Sequence, residues 1–325
     1  PRINYDANGE NGALLLEPSR ANILPQSEYF NGSFSGSFET NAAISPDGTM
    51  NASKFVFTQG ASYPQFYTFL SGLVVGQQYT SSIYIKKTEA SEDFQMISSG
   101  VVFTPTDEWQ RVITTFTATS TSQSVLVNYV VSVGVGVINE VYVAFAQVEA
   151  NATYATSYIP NHSGTGGVTR AADSCSGGGS AESINSVEGV LYAEISALNN
   201  DGTYRSISLS DGSTNNELLL YYYANNILAV DFRVGAVNQA PFSVTVNQTA
   251  INKIAIKYKV NDFALWVNGT EVATDTSGSI PSANTFNNLS ISRANLSLPF
   301  YGNVKQLAVF NEALSDSELA TLTTL

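Results

Sequence analysis

Apolar and polar residues alternate with a period of two through much of this chain, and this alternation constrains the fold more than any other feature. Gln78–Lys87, with the sequence QYTSSIYIKK, places every second residue on the same face of an extended strand. Lys253–Val260 (KIAIKYKV) places its isoleucines, Tyr258 and Val260 on one face and its lysines on the other. Similar strands are predicted at Arg111–Ala118, Val125–Val133, Val141–Val148 and Gly189–Ala197. Short strands separated by turn residues predict an all-β protein built from sandwiches.

Tight turns and one helix punctuate the second half of the chain. Glu217–Tyr223 and Ile227–Val234 flank a short Ala-Asn-Asn segment, which predicts a hairpin. The dipeptide Asn268–Gly269 predicts a second tight turn. Near the end, Ser315 and Glu318 form an S-x-x-E capping box, with Leu314 and Leu319 placed as a hydrophobic staple. We therefore expect a short C-terminal helix that begins at this point.

The chain is long enough for two domains, at 325 residues. Residues 160–186 are rich in Gly and Ser and separate two blocks of strand-like sequence. This composition predicts a linker. The resulting division has a domain at 1–159 that includes an extended N-terminal lead-in, a linker at 160–186 and a domain at 187–325.

Charge and cysteine content exclude several classes of protein. The net charge is −13, only 13% of residues are charged, and Lys86–Lys87 is the nearest approach to a basic cluster. A nucleic-acid-binding surface requires a basic stripe, so no nucleic-acid partner is expected. No apolar run approaches about 20 residues and no signal peptide is recognisable, so membrane insertion is not expected. Cys175 is the single cysteine, which rules out an intrachain disulfide and suits synthesis in a reducing cytoplasm.

The residue types that catalysis needs are sparse. His162 is the single histidine, and both His162 and Cys175 lie in the predicted linker. A nucleophile and base held by a rigid scaffold is therefore not expected there. The acidic residues are isolated along the second domain, for example Glu188, Glu194 and Glu217, with no short-spaced carboxylate motif. We expect a protein that is not an enzyme.

Carboxylates beside turns are candidate ligands for a structural calcium ion, since calcium prefers oxygen ligands. The alternative is that these residues only form turns, because Asp hydrogen-bonds readily to the backbone two residues later. Calcium is the one cofactor that the sequence makes a candidate. The residues concerned are Asp47, Asp201, Asp211 and Asp275.

Two groups of aromatic residues are candidates for sugar binding, because an aromatic ring can stack on the apolar face of a pyranose. The alternative is that these rings fill the core and rim of a sandwich. Trp109 and Trp266 are interpreted as structural, since each lies in or just before a strand. The candidate sugar-binding residues are Tyr63, Phe66, Tyr67 and Tyr84 in the first domain, and Tyr221 and Tyr223 in the second.

Two parts of the chain resemble known families. The segment QVEANATYATSYIPNHSGTGGVTRAAD and the lead-in ALLLEPSRAN resemble bacteriophage virion proteins in which a jelly-roll, carbohydrate-binding-like module ends this way. The segments KIAIKYKVNDFALWVNGTEVAT and FYGNVKQLAVFNEALSDSELATLTTL resemble the hairpins and closing helix of laminin-G/concanavalin-A-like sandwiches. The resemblance implies a jelly roll followed by a concanavalin-A-like domain.

The resemblance also implies a function. The hypothesis is a phage surface protein of the tail fibre, tailspike or head fibre type, exposed on the virion, that binds host glycans without cleaving them. Its expected partners are a host-surface glycan and other virion proteins or further copies of itself, as in a homotrimer. One alternative is a purely structural role in decorating a capsid or assembling a fibre. A further alternative is a bacterial extracellular polysaccharide-binding protein, or a glycan hydrolase or lyase.

Overall fold

The computed structural model describes residues 2–5, 9–28, 30, 33–34, 36–58, 65–91, 93–129, 138–223 and 226–325. Within these residues the protein is almost entirely β, with 25 strands and one helix. The chain divides into two compact units. The first unit comprises residues 19–171, and the second unit comprises residues 1–18 and 172–325.

The elements follow one another in chain order. The strands up to the end of the first unit are β1 (Arg2–Asn4), β2 (Ala13–Leu16), β3 (Arg20–Asn22), β4 (Ser33–Phe34), β5 (Ser37–Ala43), β6 (Ala52–Thr58), β7 (Gln65–Ser71), β8 (Gln78–Lys87), β9 (Phe94–Met96), β10 (Val102–Phe103), β11 (Gln110–Thr117), β12 (Ser122–Tyr129), β13 (Ile138–Ala150) and β14 (Val168–Arg170). The remaining elements are β15 (Glu188–Ala197), β16 (Arg205–Ser210), β17 (Glu217–Tyr223), β18 (Ile227–Val234), β19 (Val237–Asn238), β20 (Phe242–Thr245), β21 (Asn252–Lys259), β22 (Phe263–Val267), β23 (Thr270–Asp275), β24 (Asn288–Ser290), β25 (Gly302–Phe310) and α1 (Asp316–Thr323).

The first unit is a sandwich of two antiparallel sheets. One sheet has the strand order β10-β9-β12-β7-β4. The other has the order β11-β8-β13-β3-β14, with β6 paired to β13 and β5 paired to β6. Its core takes alternate residues from both sheets, as the period of two requires: Ile83, Ile85, Val141 and Val143 from one, and Phe66, Leu70, Phe94 and Val125 from the other.

The second unit is a sandwich of a seven-stranded and a six-stranded sheet, again antiparallel. The first has the order β1-β2-β25-β15-β21-β22-β23, and the second has the order β19-β18-β17-β16-β24 with β20 paired to β18. The tight turn between β22 and β23 forms as predicted, because Asn268 and Gly269 both adopt the positive φ angles that a two-residue hairpin requires. Its core is formed by residues of both sheets, among them Leu191, Ile254, Ile256, Leu218, Leu220, Val230 and Phe232.

Helix α1 covers part of the outer face of the seven-stranded sheet. Ser315 is its N-cap and forms the predicted capping box with Glu318. Leu319 is fully buried against Tyr192 and Trp266. Because the helix lies on this face, the strand β21 is buried on both sides, and Lys257 is only 8% exposed. Val260, predicted to face the core, is instead 51% exposed because β21 ends one residue earlier.

The predicted domain boundaries differ from the observed ones in two places. The lead-in does not belong to the first unit, since β1 pairs with β2 and β2 pairs with β25 near the other end of the chain. Residues 160–186 do not form a free linker. Asn161 is fully buried in the first unit, and Ile184 lies in the core of the second unit, where Gly178 also pairs with Leu289.

Candidate functional site

Three tyrosines of the second unit gather on the outer face of its six-stranded sheet. Tyr221 and Tyr223 alternate with Tyr222, which points into the core and is fully buried. Because Arg205 pairs with Tyr222, the residue before it, Tyr204, lies beside Tyr223. We call Tyr204, Tyr221 and Tyr223 the tyrosine patch. Tyr204 is 46% exposed, so the patch is open at the surface.

The rings of the tyrosine patch form a compact triangle. The centroid of Tyr204 lies 6.1 Å from that of Tyr221 and 5.6 Å from that of Tyr223, and Tyr221 lies 5.7 Å from Tyr223. A linear ladder of rings would place its outer pair at about twice the inner spacing, so these rings do not form one. The interplanar angles are 18°, 13° and 31°. The three rings therefore pack against one another as one aromatic cluster.

A polar group lies next to the patch on β18. Asp231 accepts hydrogen bonds from Arg233 at 2.9 Å and from the side chain of Asn238 at 2.8 Å. Burial raises the pKa of Tyr221, and the negative charge of Asp231 acts in the same direction. The Tyr221 hydroxyl therefore stays protonated at neutral pH and can donate a hydrogen bond.

Small residues and a loop border the patch. Within the sheet Tyr221 is paired on one side with Ser206 and on the other with Ala229, and the large side chains that flank its ring include those of Tyr204 and Tyr223. The loop after β24 runs along β16, where the Ser206 amide and hydroxyl both donate to the Leu298 carbonyl, at 3.1 and 2.6 Å. The loop therefore lies beside Ser206, while Ala229 on the other side of Tyr221 is itself only 3% exposed.

Sequence reasoning found Tyr221 and Tyr223 but missed Tyr204. Tyr204 precedes β16 and follows the turn at Asp201–Gly202, so no alternation marks it. The signal that could have found it is the register of the β16–β17 hairpin, which aligns residue 204 with residue 223.

The four calcium candidates share one local geometry. Each Asp accepts a hydrogen bond from the backbone N–H two residues later, with donors in Thr49, Thr203, Ser213 and Ser277 and distances of 2.8, 3.1, 2.8 and 2.9 Å. This is the turn geometry that Asp forms without any metal. Each carboxylate has further partners, and the structure does not bring the four together. The four acceptors are Asp47, Asp201, Asp211 and Asp275.

Asp201 has a second role, because it pairs with a buried arginine. The Arg205 guanidinium, 1% exposed, donates to the Asp201 carboxylate at 2.8 Å. Burial opposes ionisation of Asp201, but the hydrogen bond and the charge of Arg205 outweigh it and lower the pKa of the carboxyl. Within the described residues no group of three or more His, Cys, Asp or Glu is placed to hold a metal. A calcium site would thus need backbone carbonyls as its main ligands, and calcium remains a prediction.

The aromatic candidates of the first unit do not form a shared site in the described residues. Phe66 is fully buried in the core, so its prediction as a surface residue is wrong. Tyr67 is half-buried on the opposite face of β7, and Tyr63 lies outside the described residues. The Tyr84 ring is held beneath the Arg111 guanidinium, 5.6 Å from its centroid, and packs edge-on against Phe145.

His162 belongs to the first unit, and Cys175 belongs to the second unit, which carries the tyrosine patch. His162 Nε2 lies 3.1 Å from Glu28 Oε1, and the Tyr158 hydroxyl donates to the same oxygen at 2.7 Å. Cys175 is an exposed free thiol. Trp109, predicted to be structural, donates its indole N–H to the Ile44 carbonyl at 2.9 Å.

Comparison with known proteins identifies the fold of the second unit. Residues 192–320 match the laminin G family model described as the Concanavalin A-like lectin/glucanases superfamily. These residues contain the β17 strand that carries Tyr221 and Tyr223. No curated protein matches the chain.

Several solved structures resemble the chain at low sequence identity. The carbohydrate-binding module CBM40 of the Ruminococcus gnavus IT-sialidase is 18% identical, covers 47% of this chain and 97% of its own, and has a TM-score of 0.39. Domain 4 of AbnA, an arabinanase from Geobacillus stearothermophilus solved with arabinotriose, is 11% identical over 49% and 73%, with a TM-score of 0.37. A SAP-like pentraxin from Limulus polyphemus is 14% identical over 42% and 70%, with a TM-score of 0.36.

In the part of the chain that the structure describes, no helix is long and apolar enough to cross a membrane.

Together, the fold and the family match define an all-β protein whose second unit is a concanavalin-A-like sandwich.

Proposed function

We propose that this protein is a non-catalytic glycan-binding protein and that the tyrosine patch of the second unit is its binding site. The observation that carries the proposal is the triangle of Tyr204, Tyr221 and Tyr223, exposed on an open sheet face with a polar group beside it. A sugar would lie over the rings, with its C–H groups against the aromatic faces. Its hydroxyl groups would reach Asp231, Arg233 and Asn238, which offer both acceptors and donors.

The carboxylates near the patch already have hydrogen-bond partners, and this supports binding without catalysis. Asp231 is paired with Arg233, and Glu217, which is fully buried, accepts from Arg293 at 3.2 Å and from the Ala294 amide at 2.8 Å. A glycosidase needs one carboxylic acid and one carboxylate that both reach the scissile bond. Neither of these carboxylates is free to fill such a role.

The biological setting that we propose is the surface of a phage virion, where the protein would contact host glycans. The support is the resemblance of the Gln147–Asp173 segment to virion jelly rolls, together with the low charge content of the chain. A purely structural virion role and a bacterial extracellular polysaccharide-binding protein use the same architecture. Detection of the protein in purified phage particles, and loss of host adsorption when it is removed, would separate these settings.

A glycan array with purified protein tests the proposed site. We expect saturable binding to particular neutral sugars, and a loss of about tenfold or more in affinity for Tyr221→Ala, since a central aromatic contact carries much of the energy of such a site. The matched control is Tyr5→Ala, which removes a tyrosine that is 59% exposed but lies at the edge of the other sheet. Arrays run with and without calcium test the predicted ion. If loss of both Tyr221 and Tyr223 leaves the affinity for every bound sugar unchanged, the proposal is contradicted.

A further inference from the structure

The first unit contains a polar cleft that the tyrosine patch does not use. It has a volume of about 570 Å³ and is lined by Lys87, Thr88, Glu89, Ser91, Asp107 and Tyr142. Tyr142 lies on β13 between Val141 and Val143, both of which are fully buried in the core. By alternation, its ring points to the opposite face of the sheet and forms a wall of the cleft.

The two loops that border the cleft are fixed to the sheet by hydrogen bonds. The Ser91 hydroxyl accepts from the Thr88 amide at 2.8 Å and donates to the Glu140 carbonyl at 2.5 Å. The Glu140 amide in turn donates to the Ala90 carbonyl at 3.0 Å. On the other side, the Lys87 amide donates to the Thr106 carbonyl at 2.9 Å. A cleft with fixed walls loses little conformational entropy when a ligand binds.

The chemistry of the lining favours a neutral ligand rich in hydroxyl groups. Lys87 Nζ lies 2.9 Å from Asp107 Oδ2, and both side chains are well exposed, at 43% and 80%. Lys86 and Lys54 flank Tyr142 in the sheet register, while Glu39 lies 3.3 Å from Lys54. Lys54 and Lys87 thus each have a carboxylate within 3.3 Å, and Glu89 adds a negative charge to the lining, so there is no excess of positive charge to attract an anion. Sugar hydroxyls can donate to the carboxylates and accept from the ammonium groups.

We infer that this cleft is a second glycan-binding site, specific for a neutral saccharide and independent of the tyrosine patch. The inference concerns different residues in the other unit, so it stands or falls separately from the function proposed for the second unit. Two sites on one chain would let a polysaccharide that reaches both bind more tightly than either site allows alone.

Isothermal titration calorimetry tests this inference. The probes are neutral hexasaccharides of glucose, mannose, galactose, xylose and N-acetylglucosamine, titrated into the full chain. The variants are Tyr142→Ala, Tyr221→Ala and the double variant. We expect Tyr221→Ala to keep one class of binding site, and the addition of Tyr142→Ala to weaken that remaining binding by about tenfold or more.

Two controls keep the result interpretable. Phe69→Ala removes a ring that is 62% exposed on the other sheet of the same unit, and should leave binding unchanged. Tyr142→Phe keeps the ring, and should retain binding if the ring face provides the contact. Thermal melts confirm that each variant is folded.

The outcomes separate the two proposals. If Tyr221→Ala removes all binding and Tyr142→Ala has no effect, the second site is refuted while the tyrosine patch stands. If Tyr142→Ala alone removes all binding, the cleft stands and the patch is refuted. If no probe binds the folded wild-type protein, both are refuted for neutral glycans.

Discussion

Replacing Asp201 with Ala should destabilise the second unit more than a comparable change at any other predicted calcium ligand. Arg205 is among the largest fully buried side chains, and Asp201 is its charged partner at 2.8 Å. The Arg205 guanidinium also donates to the Thr203 carbonyl at 3.0 Å. Without Asp201 the guanidinium would stay buried beside a single neutral acceptor. An uncompensated buried charge is costly because it has lost its hydration.

The expected decrease in the free energy of unfolding follows from the kind of contact that the substitution removes. Breaking a buried ion pair by removing one partner costs about 3–5 kcal/mol. Since the Asp201 side chain is 13% exposed, some water can reach the remaining charge, and the lower end, about 3 kcal/mol, applies. For a unit of about 170 residues, 1 kcal/mol shifts the melting temperature by about 2–4 °C. The midpoint for the second unit should therefore fall by about 6–12 °C.

Asp211→Ala is the matched control for this measurement. Asp211 also accepts two hydrogen bonds, from the Ser213 amide and the Asn216 side chain, both at 2.8 Å, and forms no ion pair with any residue that the structure describes. Its removal should cost about 1–2 kcal/mol, the value of two ordinary hydrogen bonds. Urea unfolding followed by tryptophan fluorescence reports the second unit through Trp266 and the first unit through Trp109. If Asp201→Ala is no more destabilising than Asp211→Ala, then the buried charge pair does not stabilise this unit and the reasoning fails.

Three further predictions concern pH and two local structures. The pKa of the Asp201 carboxyl is lowered on folding. The stabilising effect of this carboxylate is therefore complete above the unfolded pKa of about 3.9 and is lost as the pH falls through the folded pKa. The difference in urea midpoint between wild type and Asp201→Ala should shrink below pH 4. Ser315→Ala removes the N-cap and should cost about 1 kcal/mol in urea unfolding, with Ser317→Ala as a control that should cost less. Glu149→Ala leaves the buried amide and hydroxyl of Thr156 without their acceptor. It should destabilise the first unit by about 2–3 kcal/mol in the same urea assay. Glu89→Ala, at the surface, should leave the stability of this unit unchanged.

Alternation predicted the fold where one face of a strand is clearly more apolar than the other. The strand Gln78–Lys87 coincides with β8, and the strands Glu217–Tyr223 and Ile227–Val234, predicted from the turn between them, coincide with β17 and β18. Alternation gives no such signal at β7, because Phe66 and Tyr67 place aromatic rings on both faces. The opposing sheet decides which face of β7 is buried. The ring centroid of Phe55 in that sheet lies 4.2 Å from the ring centroid of Phe66.

The misplaced lead-in has a different physical cause. Strands β1 and β2 are short; β1 pairs with β2, and β2 pairs with β25, almost 300 residues away in sequence. A local pattern cannot report a partner at that distance, since it records only the tendency of a segment to be extended. The same limit explains why Tyr204 was missed: its position in the patch depends on the register of β16 with β17.

The segment after Gln147 is held by buried side-chain amides, so its sequence pattern reflects the fold of the first unit and does not identify a ligand. Gln147 accepts from the Ile159 amide at 2.7 Å, and Asn22 donates to the Ile159 carbonyl at 2.9 Å. Asn161 donates to the Leu24 carbonyl at 2.8 Å, and Gln147, Asn22 and Asn161 are all fully buried. The segment has the composition of a flexible linker, but hydrogen bonds from buried side-chain amides hold it in place where strand pairing is absent. These buried residues close the first unit, while the rings that we propose for binding lie on open faces outside this network.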